Sequence, residues 1–160
     1  MGYLYISISI AAMYGLKEIS LKQTGFWFLL PSAVFFSIWI NDTMAYIVGS
    51  LIGKTPFSPV SPKKTWEGTI GGALLCIICI RLLGSAIHMA QSVSSNQWTM
   101  IAALCACFGT LGDLLESKMK RMAELKDSGN LMPGHGGFLD RFDSMLLAAP
   151  FIYMFTKFFL

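Results

Sequence analysis

Residues 113–143, DLLESKMKRMAELKDSGNLMPGHGGFLDRFD, form a hydrophilic stretch that stands between two strongly apolar segments. Carboxylates, basic side chains, one His and a Gly-Gly pair are concentrated within it. Charged groups gathered at one place in an otherwise apolar chain indicate that the protein handles a charged ligand there. The rest of the fold is therefore expected to be arranged around this stretch.

The first part of the stretch predicts a helix with one polar face. Asp113, Ser117, Lys120 and Arg121 fall at i, i+4, i+7 and i+8, so they share that face. A carboxylate, a hydroxyl and two cations in this order can hold a metal ion and a phosphate group together. The glycines and the proline of SGNLMPGHGG, residues 128–137, then end the helix and turn the chain back.

Helical spacing resumes in DRFDSMLLAAP, residues 140–150, with Asp140 near the amino end, where free amides and the helix dipole favour anions. Returning beside Asp113, Asp140 would complete a Mg²⁺ site, because Mg²⁺ prefers one or two carboxylates with phosphate and water. Asp143 is a third candidate ligand, or a partner for Arg141. Alternatively, Asp113 pairs with a Lys or Arg, and Asp140 is a helix N-cap.

The run SKMKRMAELKDSGNLMPGHGGFLDRFD, residues 117–143, resembles the C-terminal sequence pattern of the phosphatidate cytidylyltransferase (CDP-diacylglycerol synthase) family. That pattern needs Ser, Lys-Arg, Lys-Asp, Pro-x-His-Gly-Gly and Asp-Arg-x-Asp, and all are present at the family's spacing. A second block, NDTMAYIVGSLIGKTPFSPVSPKKTWEG, residues 41–68, also resembles the family. The likeness therefore covers most of the chain from residue 26 onward.

The resemblance implies an enzyme of phospholipid biosynthesis that transfers CMP from CTP to phosphatidic acid and releases pyrophosphate. It implies Mg²⁺ as cofactor, with a monovalent cation such as K⁺ beside it. CTP, phosphatidic acid and the lipid bilayer are the expected partners, no nucleic acid is expected, and a homodimer is left open. The residues carried over are catalytic Asp113, Asp140, Lys120, Arg121 and His135, substrate-binding Asp42, Lys63, Lys64, Ser117, Lys126 and Arg141, and metal-binding Asp113, Asp140 and Asp143.

His135 has three roles that the sequence does not separate: general base, phosphate donor, or a hydrogen bonder that braces the loop. Two rival functions also stay open. One is a CTP-dependent polyprenol-type lipid kinase. The other is a cation transporter or channel whose ion path is lined by Asp42 and Asp113.

The composition independently indicates a membrane protein. At 160 residues, 54% are hydrophobic, only 13% are charged, and the mean hydropathy is +0.60, which is too apolar for an ordinary soluble domain. We expect an all-α, polytopic integral membrane protein of about four or five membrane helices. Residues 1–160 would form a single catalytic domain with its active site in a polar cavity at the cytoplasmic side.

Residues 3–16 are apolar but short for a full span, so they are expected to be the remnant or edge of a membrane helix. Residues 26–52 form one long segment that contains Asp42. A charge at that depth costs roughly 2.5–3.5 kcal/mol on insertion scales, so Asp42 should face a polar cavity. Because the family's chains are longer, this chain is expected to be their C-terminal part. Further spans are expected at residues 69–90, 98–115 and 144–160.

Basic residues predict the orientation. Lys63 and Lys64 lie in one connection, and Lys120 and Arg121 follow two crossings later, so both groups should lie on one face, which is cytoplasmic by the positive-inside rule. The prolines of SPVSPKKTWEG, residues 58–68, predict an ordered or extended loop whose lysines suit a triphosphate. The alternative is that this loop is only a topological anchor.

The four cysteines lie in apolar spans without His ligands, which predicts a structural role for them. Arg81, also within a span, either meets substrate phosphate or neutralises Asp42.

Overall fold

Five α-helices and one short β-hairpin make up the part of the chain that the computed structural model describes, residues 2–58, 61–124 and 142–160. The prediction of an all-helical, polytopic membrane protein is confirmed. Four of the helices are long and apolar enough to cross a membrane, at Tyr3–Thr24, Leu29–Ile52, Trp66–Ala86 and Ser95–Met122. In order, the elements are α1 (Gly2–Thr24), α2 (Leu29–Ile52), β1 (Pro56–Ser58), β2 (Ser61–Thr65), α3 (Trp66–Ala86), a 3₁₀ turn (His88–Ala90), α4 (Ser95–Met122) and α5 (Asp143–Phe159).

The predicted end of the first apolar segment at residue 16 is wrong, because α1 continues to Thr24. Lys17, the first residue beyond the predicted end, has its ammonium over the rings of Tyr14 and Trp27, 5.4 and 5.8 Å from their centroids. Such contacts stabilise a cation beside aromatic rings near the end of a span. The helix ends before Gly25, whose φ of 76° is a left-handed conformation that favours glycine.

Helices α2 and α3 pack closely because small residues face each other. A Cβ at Gly72 would lie 2.6 Å from the backbone nitrogen of Ala45, and one at Gly68 would lie 2.8 Å from the Cα of Gly49. Small residues allow such close approach between membrane helices, where apolar burial from water drives little association. Many large apolar side chains, including Trp39, point outward and are exposed, as expected for a surface that faces lipid.

A layer of fully buried side chains joins α2, α3 and α4 near mid-bundle. Ser37, Cys76 and Cys105 come from these three helices, and each has no exposed surface. The Cys76 thiol donates to the Ser37 carbonyl oxygen at 3.1 Å. All four cysteines are free thiols, and this contact gives Cys76 a structural role of the kind predicted.

Helix α4 runs past the predicted end of its span at residue 115 and includes the polar face predicted for residues 113–121. It begins with a capping box, in which Ser94 and Gln97 satisfy each other's backbone N–H groups. It ends at Met122, so the helix stops before the glycine-rich stretch as predicted.

The loop predicted to be extended forms an antiparallel hairpin. Pro56 pairs with Thr65 and Ser58 pairs with Ser61, so β2 carries extra residues between the two pairs. This irregularity is of the β-bulge type, which commonly redirects a side chain beside a functional site.

Candidate active site

A polar cavity of about 220 Å³ lies where α2, α3, α4 and the hairpin meet. Asp42 lines it, as expected for a carboxylate that deep in an apolar segment, and is itself partly exposed. Asn41 lies behind it, 3% exposed, and donates from its Nδ2 to the Asp42 Oδ1 at 3.4 Å. The lining residues are Asn41, Asp42, Ala45, Tyr46, Lys64, Thr69, Thr110 and Asp113.

Asp113 connects the hairpin to α4. Its Oδ2 forms an ion pair with the Lys64 Nζ, and its Oδ1 accepts a hydrogen bond from the Ser117 hydroxyl at 3.3 Å. The Ser117 contact is the i, i+4 pair predicted from the sequence. The Lys64 contact confirms that the two basic stretches lie at one end of the bundle. Asp113 is thus paired with a lysine in this structure, which is the predicted alternative to metal binding.

A second acidic group lies beside Asp113. Glu116 is 7% exposed, its Oε1 is 3.6 Å from the Lys120 Nζ, and its side chain lies beside that of Asp143. Asp143 also lies close enough to Asp113 for the two carboxylates to repel each other. The sequence prediction missed Glu116. Its spacing of i+3 from Asp113 was the available signal, since such residues are neighbours on a helix.

Gly112 allows the first turn of α5 to pack closely against α4. A Cβ at this position would lie 2.7 Å from the carbonyl oxygen of Asp143, so only a glycine allows this approach without a shift. The Asp143 Oδ1 accepts a hydrogen bond from its neighbour's backbone, the Ser144 N–H, at 2.6 Å. Asp143 is thereby held in the acidic group with Glu116.

The predicted site residues fall into four groups. Asp42, Lys64, Asp113 and Ser117 meet at the cavity, and Lys120 joins Asp143 through Glu116. Lys63 and Arg121 are exposed at the same end of the bundle. Lys126, His135, Asp140 and Arg141 lie outside the residues that the structure describes.

Hard oxygen donors dominate the cavity, which suits a cation such as Mg²⁺. The buried Asn41 Oδ1 has no hydrogen-bond partner among the described residues, so this oxygen is available to accept a hydrogen bond from a ligand or to bind a cation. Within residues 2–58, 61–124 and 142–160, however, no group of three or more His, Cys, Asp or Glu is placed to hold a metal ion. The expected pairing of Asp113 with Asp140 therefore stays a prediction.

Arg81 lies away from this cavity. Its Nη1 donates to the Thr99 hydroxyl at 3.1 Å, and it is exposed. Gly72 packs against the cavity residue Ala45, and Arg81 is about 14 Å further along α3 at 1.5 Å per residue. Arg81 therefore does not neutralise Asp42 in this structure.

Comparison with known proteins places the chain in a family. The model of the Cytidylyltransferase family matches residues 1–159. This chain belongs to the cytidylyltransferase family. Within the matched range, the residues that carry the sequence resemblance include both basic stretches and the carboxylates of the cavity.

The chain is similar to curated cytidylyltransferases from bacteria and a plant. It is 39% identical over 155 residues to the phosphatidate cytidylyltransferase of Staphylococcus epidermidis, covering 95% of this chain and 55% of the relative. It is 37% identical over 155 residues to that of Bacillus subtilis strain 168, covering 96% and 56%. It is 44% identical over 131 residues to phosphatidate cytidylyltransferase 4, chloroplastic, of Arabidopsis thaliana, covering 81% and 33%. The chain thus spans about half the length of the bacterial cytidylyltransferases it matches.

Proposed function

We propose that this chain forms the catalytic part of a phosphatidate cytidylyltransferase of the cytoplasmic (inner) membrane. In the reaction, a phosphate oxygen of phosphatidic acid attacks the α-phosphorus of CTP. A phosphorus–oxygen bond forms there, and the bond to the β-phosphate breaks, giving CDP-diacylglycerol and pyrophosphate. The observation that carries the proposal is the polar cavity at one end of an apolar bundle, in which Lys64 pairs with Asp113.

Both substrates are anionic, so neutralising phosphate charge is the main demand on the site. Lys64 is suited to this, because its side chain and that of Asp113 are 27% and 29% exposed. Ion pairs that water reaches are weak, roughly 0–1 kcal/mol, so exchanging Asp113 for a phosphate oxygen costs Lys64 little. Lys120, paired with Glu116 at 3.6 Å, is a second cation near this site.

Movement of Lys64 to a phosphate group would leave the Asp113 Oδ2 available as a ligand. Asp113 would then hold Mg²⁺ together with Asp140 and Asp143, and the same proposal includes a monovalent cation such as K⁺. When bound, Mg²⁺ supplies charge compensation to the phosphate oxygens of CTP. Asn41 and Asp42 would hold the deep side of the cavity polar, and Ser117 would keep the Asp113 carboxylate oriented.

The fate of a radioactive label tests the reaction. A cytidylyltransferase cleaves CTP between the α- and β-phosphates, whereas a CTP-dependent kinase transfers only the γ-phosphoryl group. With Mg²⁺ and phosphatidic acid, α-labelled CTP should label the lipid fraction, and γ-labelled CTP should leave its label in soluble pyrophosphate. Lipid labelled only by γ-labelled CTP, with a polyprenol as acceptor, would contradict the proposal. So would cation flux through the protein with no use of CTP.

A further inference from the structure

One carboxylate closes the base of the hairpin. The Thr55 N–H is 3.3 and 3.2 Å from the two carboxylate oxygens of Glu67, and the Thr55 hydroxyl donates to the Glu67 Oε1 at 2.8 Å. The Lys54 N–H also donates to the Glu67 Oε2, at 3.3 Å. Beside these contacts, the Trp66 N–H donates to the Thr55 carbonyl oxygen at 3.0 Å. Glu67 therefore ties the chain leaving α2 to the first turn of α3.

The N-terminus of α3 explains why a carboxylate is needed there. The first turn of a helix presents free N–H donors and offers no carbonyl oxygens to a neighbouring strand. Without Glu67, the N–H groups of the exposed Lys54 and Thr55 would be left to water. Glu67 provides the acceptor, and a negative charge in the first turn also suits the helix dipole. The Thr65 hydroxyl caps the same turn by accepting from the Gly68 N–H at 3.1 Å.

This base determines which lysine of the hairpin reaches the cavity. Lys64 immediately precedes the capping residue Thr65 and pairs with Asp113, whereas the adjacent Lys63 is exposed. The irregular register lies in this part of β2, so the hairpin pairing alone does not secure the direction of these side chains. What holds the end of β2 in place is its junction with α3, and Glu67 is the side chain that binds the opposite strand to it.

We propose that Glu67, assisted by the Thr55 hydroxyl, is a positioning residue that holds the hairpin so that Lys64 faces the phosphate-binding cavity. The proposal rests on the proposed function, since it assigns Lys64 to substrate phosphate. Glu67 acts through Lys64 and does not itself contact the substrate. Its carboxylate is engaged by Lys54 and Thr55, on the outer side of the hairpin base.

The first test measures the exposure of Lys64 without any substrate. The protein is treated briefly with an amine-reactive reagent, and chymotryptic peptide 58–66 is analysed by fragmentation mass spectrometry, with Lys63 in the same peptide as internal reference. Glu67→Gln should raise the labelling of Lys64 relative to Lys63 by about two- to fivefold, as expected for loss of a part-exposed ion pair. Asp113→Asn gives the labelling ratio expected when the Lys64–Asp113 pair is broken. Glu18→Gln on α1 is the matched control, because it makes the same change of side chain away from the hairpin.

An unchanged labelling ratio in Glu67→Gln, with a raised ratio in Asp113→Asn, would overturn the proposal. This readout requires neither CTP nor turnover. It therefore remains decisive even if the assignment of the reaction fails.

The second test is a double-mutant cycle on the KM for CTP. Glu67→Gln and Lys64→Ala should each raise this KM, and the double variant should be no worse than Lys64→Ala alone, because Glu67 acts only through Lys64. Thr55→Val should give a smaller rise, and Thr55→Ser should restore the normal value. Additive effects of Glu67→Gln and Lys64→Ala would instead assign Glu67 a general structural role and overturn the proposal.

Discussion

At the scale of single residues, Asp113 is the group on which the candidate site depends most. It accepts from Ser117 and pairs with Lys64, so it joins α4 to the hairpin, and it also lies near the like-charged Asp143 of α5. Each contact uses the negative charge of the carboxylate. Replacing that charge should therefore affect function far more than packing.

Asp113→Asn should lower kcat/KM for CTP by about 100-fold or more, the usual cost of removing one electrostatic group from an active site. The variant should remain folded, because the amide has nearly the same volume. Steady-state kinetics with thermal unfolding in detergent would measure both effects. Ser117→Ala is the control, since it removes only the 3.3 Å hydrogen bond and should cost much less. Near-normal turnover of Asp113→Asn at limiting Mg²⁺ would exclude Asp113 as a metal ligand.

The two adjacent lysines of the hairpin provide an internally matched comparison. Lys64 lines the cavity and Lys63 is exposed, although the sequence predicted both as substrate-binding. Lys64→Ala should raise the KM for CTP clearly more than Lys63→Ala, because of the two lysines Lys64 is the one that lines the cavity proposed to bind phosphate. Equal effects of the two substitutions, measured at one Mg²⁺ concentration, would mean that the lysines bind phosphate interchangeably.

At the scale of elements, the sequence predicted the features that depend on charged residues and on helix-breaking residues. The polar face of α4 followed from the spacing of Asp113 and Ser117, and the prolines predicted an ordered or extended loop, although not that it pairs as a hairpin. The length of α1 could not be predicted from the same rules. There Lys17 lies over the ring of Trp27, which is beyond the end of the helix, and local spacing does not reveal that contact.

Contacts between elements also could not be predicted from the sequence. The buried position of Glu116 depends on α5 folding back to place Asp143 against it, and local spacing does not reveal that approach. Likewise, nothing in the adjacent Lys63 and Lys64 tells which one points inward. That choice is made by the register of the hairpin and by its attachment to α3.

The close packing of α2 on α3 can be tested with two glycines. Gly72→Ala should destabilise the protein by about 1–3 kcal/mol, since its Cβ would lie 2.6 Å from the Ala45 backbone nitrogen and overpack the contact. Gly109→Ala is the matched control, because among the described residues its Cβ would meet only Ile38 and Ser144, at 3.6 and 3.7 Å. Gly109→Ala should be neutral or slightly stabilising in a helix. Equal unfolding free energies of the two variants in detergent would contradict this account.

At the scale of the whole molecule, the polar groups of the candidate site gather at one end of an apolar bundle. The hairpin and the carboxyl half of α4 lie at that end, and the turn between α3 and α4 lies one crossing away. The chain spans about half the length of the bacterial relatives it matches. These matches include 95% and 96% of the residues of this chain.

The orientation can be measured with single cysteines in a background that lacks the native ones. Lys63→Cys in the hairpin should react with an impermeant maleimide only from the cytoplasmic side, as the positive-inside rule requires. Ser92→Cys, in the exposed turn before α4, should react only from the opposite side. Reaction of both positions from one side would mean that α3 does not cross the membrane.

The buried layer of Ser37, Cys76 and Cys105 has an electrical consequence. Dry protein insulates, so most of the membrane voltage should fall across this layer and little across the cavity, which lies on one side of it. A charge that crossed the full field would gain or lose about 2.3 kcal/mol per 100 mV, whereas CTP entering the cavity should cross almost none of it. The KM for CTP should therefore be the same in energised and de-energised membrane vesicles. Under the proposed function, a cell that collapsed or restored its membrane potential would not alter how readily this site binds CTP.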